Sequence, residues 1–219
     1  MRIESWQSTI RQLQVIAVIR ASQFELGLQM ARAVALGGIH VIEITWNSDR
    51  APDLIYQLGC ELSSCMIGAG TLLTVEQQQQ AISAGAQFLF TPHVDASQIQ
   101  VAVEHNIPIV TGALSPTEIV QAWQAGAASV KVFPVQALGG VGYIQSLQGP
   151  LGSIPLIPTG GVTLENTQDF LQAGAIAVGL SSDLFPKQAV QQGDWAAIAN
   201  RAQALMHRLQ PLIPSPYSR

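Results

Sequence analysis

The chain has 219 residues, 48% of them hydrophobic and only 11% charged, against roughly 25% charged in ordinary domains, so much of it must be buried strand and packed helix. Net charge is −4 and the few basic residues are scattered. This excludes the electrostatic footprint of a nucleic-acid or anionic-membrane binder and makes a small molecule the default partner.

The first thirteen residues mix Arg2, Glu4 and Arg11 with polar side chains and lack the apolar centre of a signal peptide. No run approaches the ~18 apolar residues that a membrane span requires. A cytoplasmic protein with no membrane partner is expected. Residues 3–13 read as an amphipathic helix. Short apolar, β-branched runs then recur at 15–20, 39–45, 65–70, 87–91, 107–112, 129–133, 154–159 and 175–180. Stretches of helical composition at 23–36, 49–62, 75–84, 95–105, 116–125 and 163–173 separate them, each long enough for a crossover to a parallel neighbour. Another amphipathic segment, 194–209, starts at the N-cap candidate Asp194, and the last ten residues, QPLIPSPYSR, are proline-rich and read as irregular or mobile.

Eight βα-like units without a linker predict an α/β fold, a single-domain (β/α)8 TIM barrel. Residues 1–14 would be a helix covering the barrel, 15–186 the barrel, and 187–219 a C-terminal helix and tail of the same domain. Both terminal helices are expected over barrel openings. A doubly wound dinucleotide-binding sheet would need a G-x-G-x-x-G after the first strand, which is missing. Gly37, Gly85, Gly126 and Gly174 end successive helical stretches and read as left-handed C-caps. Asp49 and Ser115 read as N-caps, the latter followed by Pro116. Cys60 and Cys65 fit no zinc or redox spacing and read as reduced structural thiols. The run of glutamines at 77–80 reads as a solvated helix face.

The sequence contains two lysines, Lys131 and Lys187, and Lys131 lies inside the apolar run SVKVF. Burial disfavours a charged ammonium, and a neutral amine attacks carbonyl carbon. The bland alternatives are a buried carboxylate partner or an edge strand, although a closed barrel has no edges. Strand alternation puts Ser129, Lys131 and Phe133 on one face, Val41, Glu43 and Thr45 on one face of the second strand, and Val18 with Arg20 on the first. Three strands would thus send Arg20, Glu43 and Lys131 toward the barrel axis near their C-terminal ends, where barrel active sites lie. Lys131 could form an iminium with a ketone, Glu43 could shuttle protons, and Arg20 could grip a carboxylate. The alternative for Arg20 and Glu43 is a structural ion pair.

The last two strands finish in PTGG (158–161) and VGLSSDL (178–184). Barrels frequently bind phosphate in the loops after strands seven and eight, so Gly160, Gly161, Gly179, Ser181 and Ser182 are candidates. Tight turns would account for the glycines equally well. His40, His93, His105 and His207 do not supply the converging set a metal-dependent aldolase needs, and His93 alone reads as a pocket-rim or structural residue. No metal and no cofactor are expected.

The motifs VIRA (18–21), GGIHVIEITWNS (37–48), IGAGT (67–71), TPH (91–93), GxxxPTE (112–118), VKVFP (130–134), PTGGV (158–162) and VGLSS (178–182) occur in order. Together they resemble the 2-keto-3-deoxy-6-phosphogluconate (KDPG) aldolases, a family that includes 4-hydroxy-2-oxoglutarate (KHG) aldolases. The resemblance implies cleavage of a keto acid to pyruvate and an aldehyde through a Schiff base on Lys131, with Glu43 as acid/base, no metal, and a homotrimer. It also implies that Thr71, Pro92 and Phe133 line the pyruvyl pocket and that the glycine loops take phosphate. Some members carry an arginine four residues after the glutamate, where this chain has Asn47, so anion anchoring leans on Arg20. Ser181 replaces a glycine of some relatives, which bears on phosphate fit. The competing readings are another phosphate-binding barrel, such as a thiamine-phosphate synthase or an isomerase of tryptophan biosynthesis, and a catalytically silent phosphosugar-binding barrel. The former do not need a buried lysine beside Phe133, and an intact Lys131, Glu43 and Arg20 together argue against the latter.

Overall fold

The computed structural model describes residues 3–209. Among them the chain runs α1 (Ile3–Leu13), β1 (Val15–Ile19), α2 (Phe24–Leu36), β2 (Val41–Thr45), α3 (Ala51–Glu61), β3 (Met66–Gly70), α4 (Val75–Ser83), β4 (Leu89–Phe90), α5 (Ala96–Glu104) and β5 (Ile109–Ala113). It continues with α6 (Pro116–Gln124), β6 (Ser129–Val132), a 3-10 turn (Val135–Leu138), α7 (Val141–Leu151), β7 (Leu156–Pro158), α8 (Thr167–Gln172), β8 (Val178–Leu180), α9 (Lys187–Gln192) and α10 (Trp195–Leu209). From β1 to β7 each strand pairs in parallel with the next, and β8 returns to β1. The seam between β7 and β8 is closed by the Ile176 amide donating to the Leu156 carbonyl at 3.0 Å and by a bridge between Thr159 and Gly179. The ring is the (β/α)8 TIM barrel the alternation predicted. Among the described residues no helix is long and apolar enough to cross a membrane.

Strand alternation divides the apolar residues into two cores. Outward-facing Ala17, Ile19, Ile42, Ile44, Val130 and Val132 pack against the helices in the larger one. Inward-facing Ile16, Val41, Phe88, Phe90, Val110 and Ile157 fill the barrel below the site. Trp6 and Ile10 of α1 are fully buried in that inner core and stop its N-terminal mouth. The Trp6 indole lies 5.2 Å from the Phe88 ring and donates to Ser129 Oγ at 3.2 Å. A buried indole N–H thereby keeps a partner.

Several local expectations are corrected. α10 does not cover an opening but packs along α2. Gly37, expected to be the left-handed cap, has φ −77°, and Gly38 takes the role with φ +89°. Glycine is required at Gly37 for another reason: a Cβ there would overlap Ala202 and crowd the Ala199 carbonyl of α10. Asp49 does not cap α3, whose N-cap is Arg50, but accepts from the Phe24 amide at 3.0 Å at the start of α2. Ser115 does cap α6, in a reciprocal box with Glu118. Gln78 departs from the solvated glutamine run: it is fully buried and donates to the Gln98 carbonyl at 2.9 Å. The helix α7 went unread because Gly142, Gly149 and Pro150 weaken its helical signature. Both cysteines are free, Cys60 exposed and Cys65 buried. The irregular tail expected at 210–219 lies outside the described residues.

Candidate active site

The eleven residues nominated from sequence all line one cavity of about 240 Å³ at the C-terminal ends of the strands. β6 carries Lys131 into it, with Gly112 of β5 on one side in register and Ile157 of β7 on the other. Lys131 is 5% exposed, and its Nζ lies 4.9 Å from the Phe133 ring centroid and 5.6 Å from that of Phe90. Ring faces attract an ammonium without fixing its proton, so they hold the amine in place and leave its lone pair available once neutral. The bland reading of Lys131 as half of an ion pair fails, since the ion pairs among the described residues involve Arg32, Arg50 and Arg201.

Glu43 enters from β2, where Val18 and Gly68 are its register partners. It is 1% exposed, and neither carboxylate oxygen has a hydrogen-bond partner among the described residues. Burial raises its carboxyl above the usual range, opposed by the nearby positive charges of Lys131 and Arg20. A structural carboxylate would be expected to be hydrogen-bonded. This one is kept unpaired beside an amine, the arrangement that suits proton transfer to a bound ligand.

Its position depends on Gly70, because a Cβ there would occupy the space of the Glu43 carboxylate. The next residue, Thr71, has φ +58°. A β-branched residue in the left-handed region is a strained conformation costing on the order of 1–3 kcal/mol, and such strain collects at functional sites. Pro92 approaches from beyond β4, where a Cβ on Gly112 would collide with its backbone. The sequence motif TPH thus contributes its proline to the cavity, while His93 lines an adjoining pocket, with Glu118 and Gln121, on the other side of Pro92 and Phe133. No cluster of three or more metal-ligating side chains occurs among the described residues.

Arg20 follows β1 at the rim and is exposed. It makes no ion pair with Glu43; its Nε donates to Asn47 Oδ1 at 3.1 Å, and its terminal nitrogens have no hydrogen-bond partner among the described residues. Opposite stand the loops after β7 and β8. Gly160 and Gly161 have φ +82° and +98°, and a Cβ on Gly161 would overlap Gln136. Only glycine takes those dihedrals without strain, and at Gly161 only glycine fits against Gln136. Ser181 and Ser182 complete this end.

Three lining residues were not nominated: Val18, Thr159 and Val162. Thr159 matters most, since its hydroxyl is buried without a partner among the described residues and faces the cavity. Its signal was available. Ile157 points into the barrel, and Thr159 has the same parity inside the PTGG motif.

Comparison with known proteins agrees with this geometry. The family model for KDPG and KHG aldolases matches residues 6–201. The chain is 33% identical to the 2-dehydro-3-deoxy-phosphogluconate aldolase of Treponema pallidum, over 89% of this chain and 92% of that one. It is 32% identical to the KHG/KDPG aldolase of Escherichia coli, over 86% of this chain and 89% of that one. The crystal structure of KDPG aldolase from Legionella pneumophila, with pyruvate captured as a covalent carbinolamine, superposes with a TM-score of 0.84 at 28% identity, covering 91% of this chain and 97% of that chain. A buried lysine and an unpaired glutamate in the mouth of a closed barrel, together with these matches, make the chain a member of the KDPG and KHG aldolase family.

Proposed function

We propose that this protein is a class I aldolase that cleaves 2-keto-3-deoxy-6-phosphogluconate to pyruvate and glyceraldehyde 3-phosphate, and 4-hydroxy-2-oxoglutarate to pyruvate and glyoxylate. The observation that carries the reading is the buried, unpaired Glu43 carboxyl in the same cavity as the buried Lys131 amine. Lys131 Nζ adds to the ketone carbon to form a carbinolamine, and loss of water gives an iminium. The iminium draws the electron pair of the breaking carbon–carbon bond into an enamine as the aldehyde departs. Glu43 supplies the proton for dehydration, accepts the one from the aldol hydroxyl and returns one to the enamine carbon, so it must change state repeatedly within a turnover. Water then releases pyruvate and frees the amine.

Thr71, Pro92 and Phe133 shape the pyruvyl end. Arg20 meets a substrate carboxylate or phosphate at the rim, and Gly160, Gly161, Gly179, Ser181 and Ser182 receive the phosphate through backbone amides and hydroxyls. The family resemblance supports a cytoplasmic homotrimer, which sedimentation would test. The deciding experiment for the chemistry is borohydride reduction in the presence of pyruvate, followed by mass analysis of the peptides. A reduced pyruvyl adduct on Lys131 is expected. An unmodified Lys131 in protein that turns over substrate would overturn the mechanism. Relative rates on the phosphorylated and unphosphorylated keto acids then fix the preferred aldehyde half.

A further inference from the structure

A second chamber of about 570 Å³ adjoins the catalytic cavity, with Arg20, Ser181 and Ser182 lining both. Its floor is apolar, from Leu26, Met30 and Phe185, and α9 contributes Lys187 to its wall. Lys187 is exposed and has no ion pair or hydrogen bond among the described residues. No carboxylate lines this chamber. In a chain of net charge −4 with only 10 basic residues, two cations therefore meet on one acid-free concavity.

Size gives this a meaning. Ligand pockets ordinarily run to about 300–1,000 Å³, so the catalytic cavity at about 240 Å³ is small for its class while the outer chamber falls within it. On the aldolase reading the inner cavity holds the pyruvyl half and an aldehyde half no longer than glyceraldehyde 3-phosphate. Past Ser181 and Ser182, which line both spaces, the outer chamber continues over its apolar floor to Lys187 and Arg20. We propose that the outer chamber is an acceptor subsite for elongated anionic aldehydes, in which Lys187 is the specificity-determining cation. Asn47 is a positioning residue in this arrangement, since its amide oxygen occupies Arg20 Nε and presents the remaining guanidinium nitrogens to the anion. The proposal rests on the aldolase reading.

The test runs the reaction in the condensation direction, with pyruvate and aldehydes of increasing length ending in carboxylate, phosphate or an uncharged hydroxymethyl group. Glyoxylate is the short reference. In Lys187→Ala the preference in kcat/KM for long anionic acceptors over glyoxylate falls about tenfold, the scale of one partly exposed charge-assisted hydrogen bond, and Lys187→Arg restores it. Whichever of the carboxylate and phosphate series loses more identifies the anion. An unchanged length profile in Lys187→Ala, or an equal loss with the uncharged series, overturns the subsite. Trapping pyruvate with borohydride in the same preparations separates the two readings. With the adduct present, an unchanged profile sinks the subsite alone, whereas absence of the adduct from the parent protein sinks the aldolase reading and the substrate assignment with it.

Discussion

The missing side chain of Gly70 is what makes room for the Glu43 carboxylate: a Cβ on Gly70 would stand where that carboxylate stands. β2 and β3 are adjacent and parallel, with Glu43 registered on Gly68 and Thr45 on Gly70. The glutamate leans across the neighbouring strand toward the C-terminal end of the barrel. Gly70→Ala should therefore push the carboxylate off its position. Turnover is expected to drop at least tenfold, because a displacement of about 1 Å in a reacting group costs up to about a hundredfold. Far-ultraviolet circular dichroism should stay native. Full activity in a folded Gly70→Ala protein would mean that Glu43 acts from elsewhere or not at all.

The raised Glu43 carboxyl makes a stability prediction. Its ordinary value is 4.5, and burial lifts it in the folded protein against the pull of Lys131 and Arg20. The fold therefore favours the protonated form. The stability this contributes is fully present below about 4.5 and is lost as pH climbs from there through the raised folded value. Glu43→Gln cannot ionise, so its stability should fall less over that interval and exceed the parent's at neutral pH. Denaturant unfolding at a series of pH values measures the difference, and parallel curves for the two proteins would contradict it.

Activity should respond in the opposite sense. Glu43→Gln is expected to slow turnover by roughly a hundredfold or more, the scale of general acid/base contributions, while leaving the fold intact. It should also remove from the pH–rate profile the limb that Glu43 governs. Steady-state kinetics across pH will show this, and near-normal turnover would release Glu43 from its assigned role.

Asn47 is exposed and accepts a hydrogen bond from Arg20 Nε at 3.1 Å. Asn47→Ala is expected to raise KM for keto acids with a distal anion several-fold with little change in kcat, since Arg20 keeps its charge and loses only its orientation. Asn47→Asp should restore the low KM, because its carboxylate can accept from Nε. If Asn47→Ala instead lowers kcat at constant KM, Arg20 acts in the chemical step.

The N-terminal plug gives a purely structural prediction. Trp6 is fully buried against Phe88 and bonded to Ser129, which shares a strand face with Lys131. Trp6→Ala should destabilise the protein by about 3–5 kcal/mol through the cavity it leaves. Thermal or denaturant unfolding would register this as a lower midpoint. A loss under 1 kcal/mol would mean that the barrel mouth refills or that α1 contributes little.

Much was decided by the chain alone. Eight apolar runs spaced by helical stretches could not bury both faces of a parallel sheet except in a layered α/β fold, so the barrel was legible from periodicity. Strand parity likewise aimed Glu43 and Lys131 inward, because side chains alternate with a period of two whatever the tertiary context. The cost of a lysine inside SVKVF made it visible without a partner in view.

What sequence did not decide was every relation between residues far apart in the chain. Nothing local tells that Gly70 clears space for Glu43, that Gly37 must be glycine because α10 presses on it, or that Asp49 serves the helix before it. Sequence alone left a pairing of Arg20 with Glu43 open, and the fold put Arg20 at the rim beside Asn47. Composition and periodicity act along the chain and set which elements form. Exclusion of atoms from the same space and satisfaction of buried polar groups act across it, and only the closed barrel brings those partners within range.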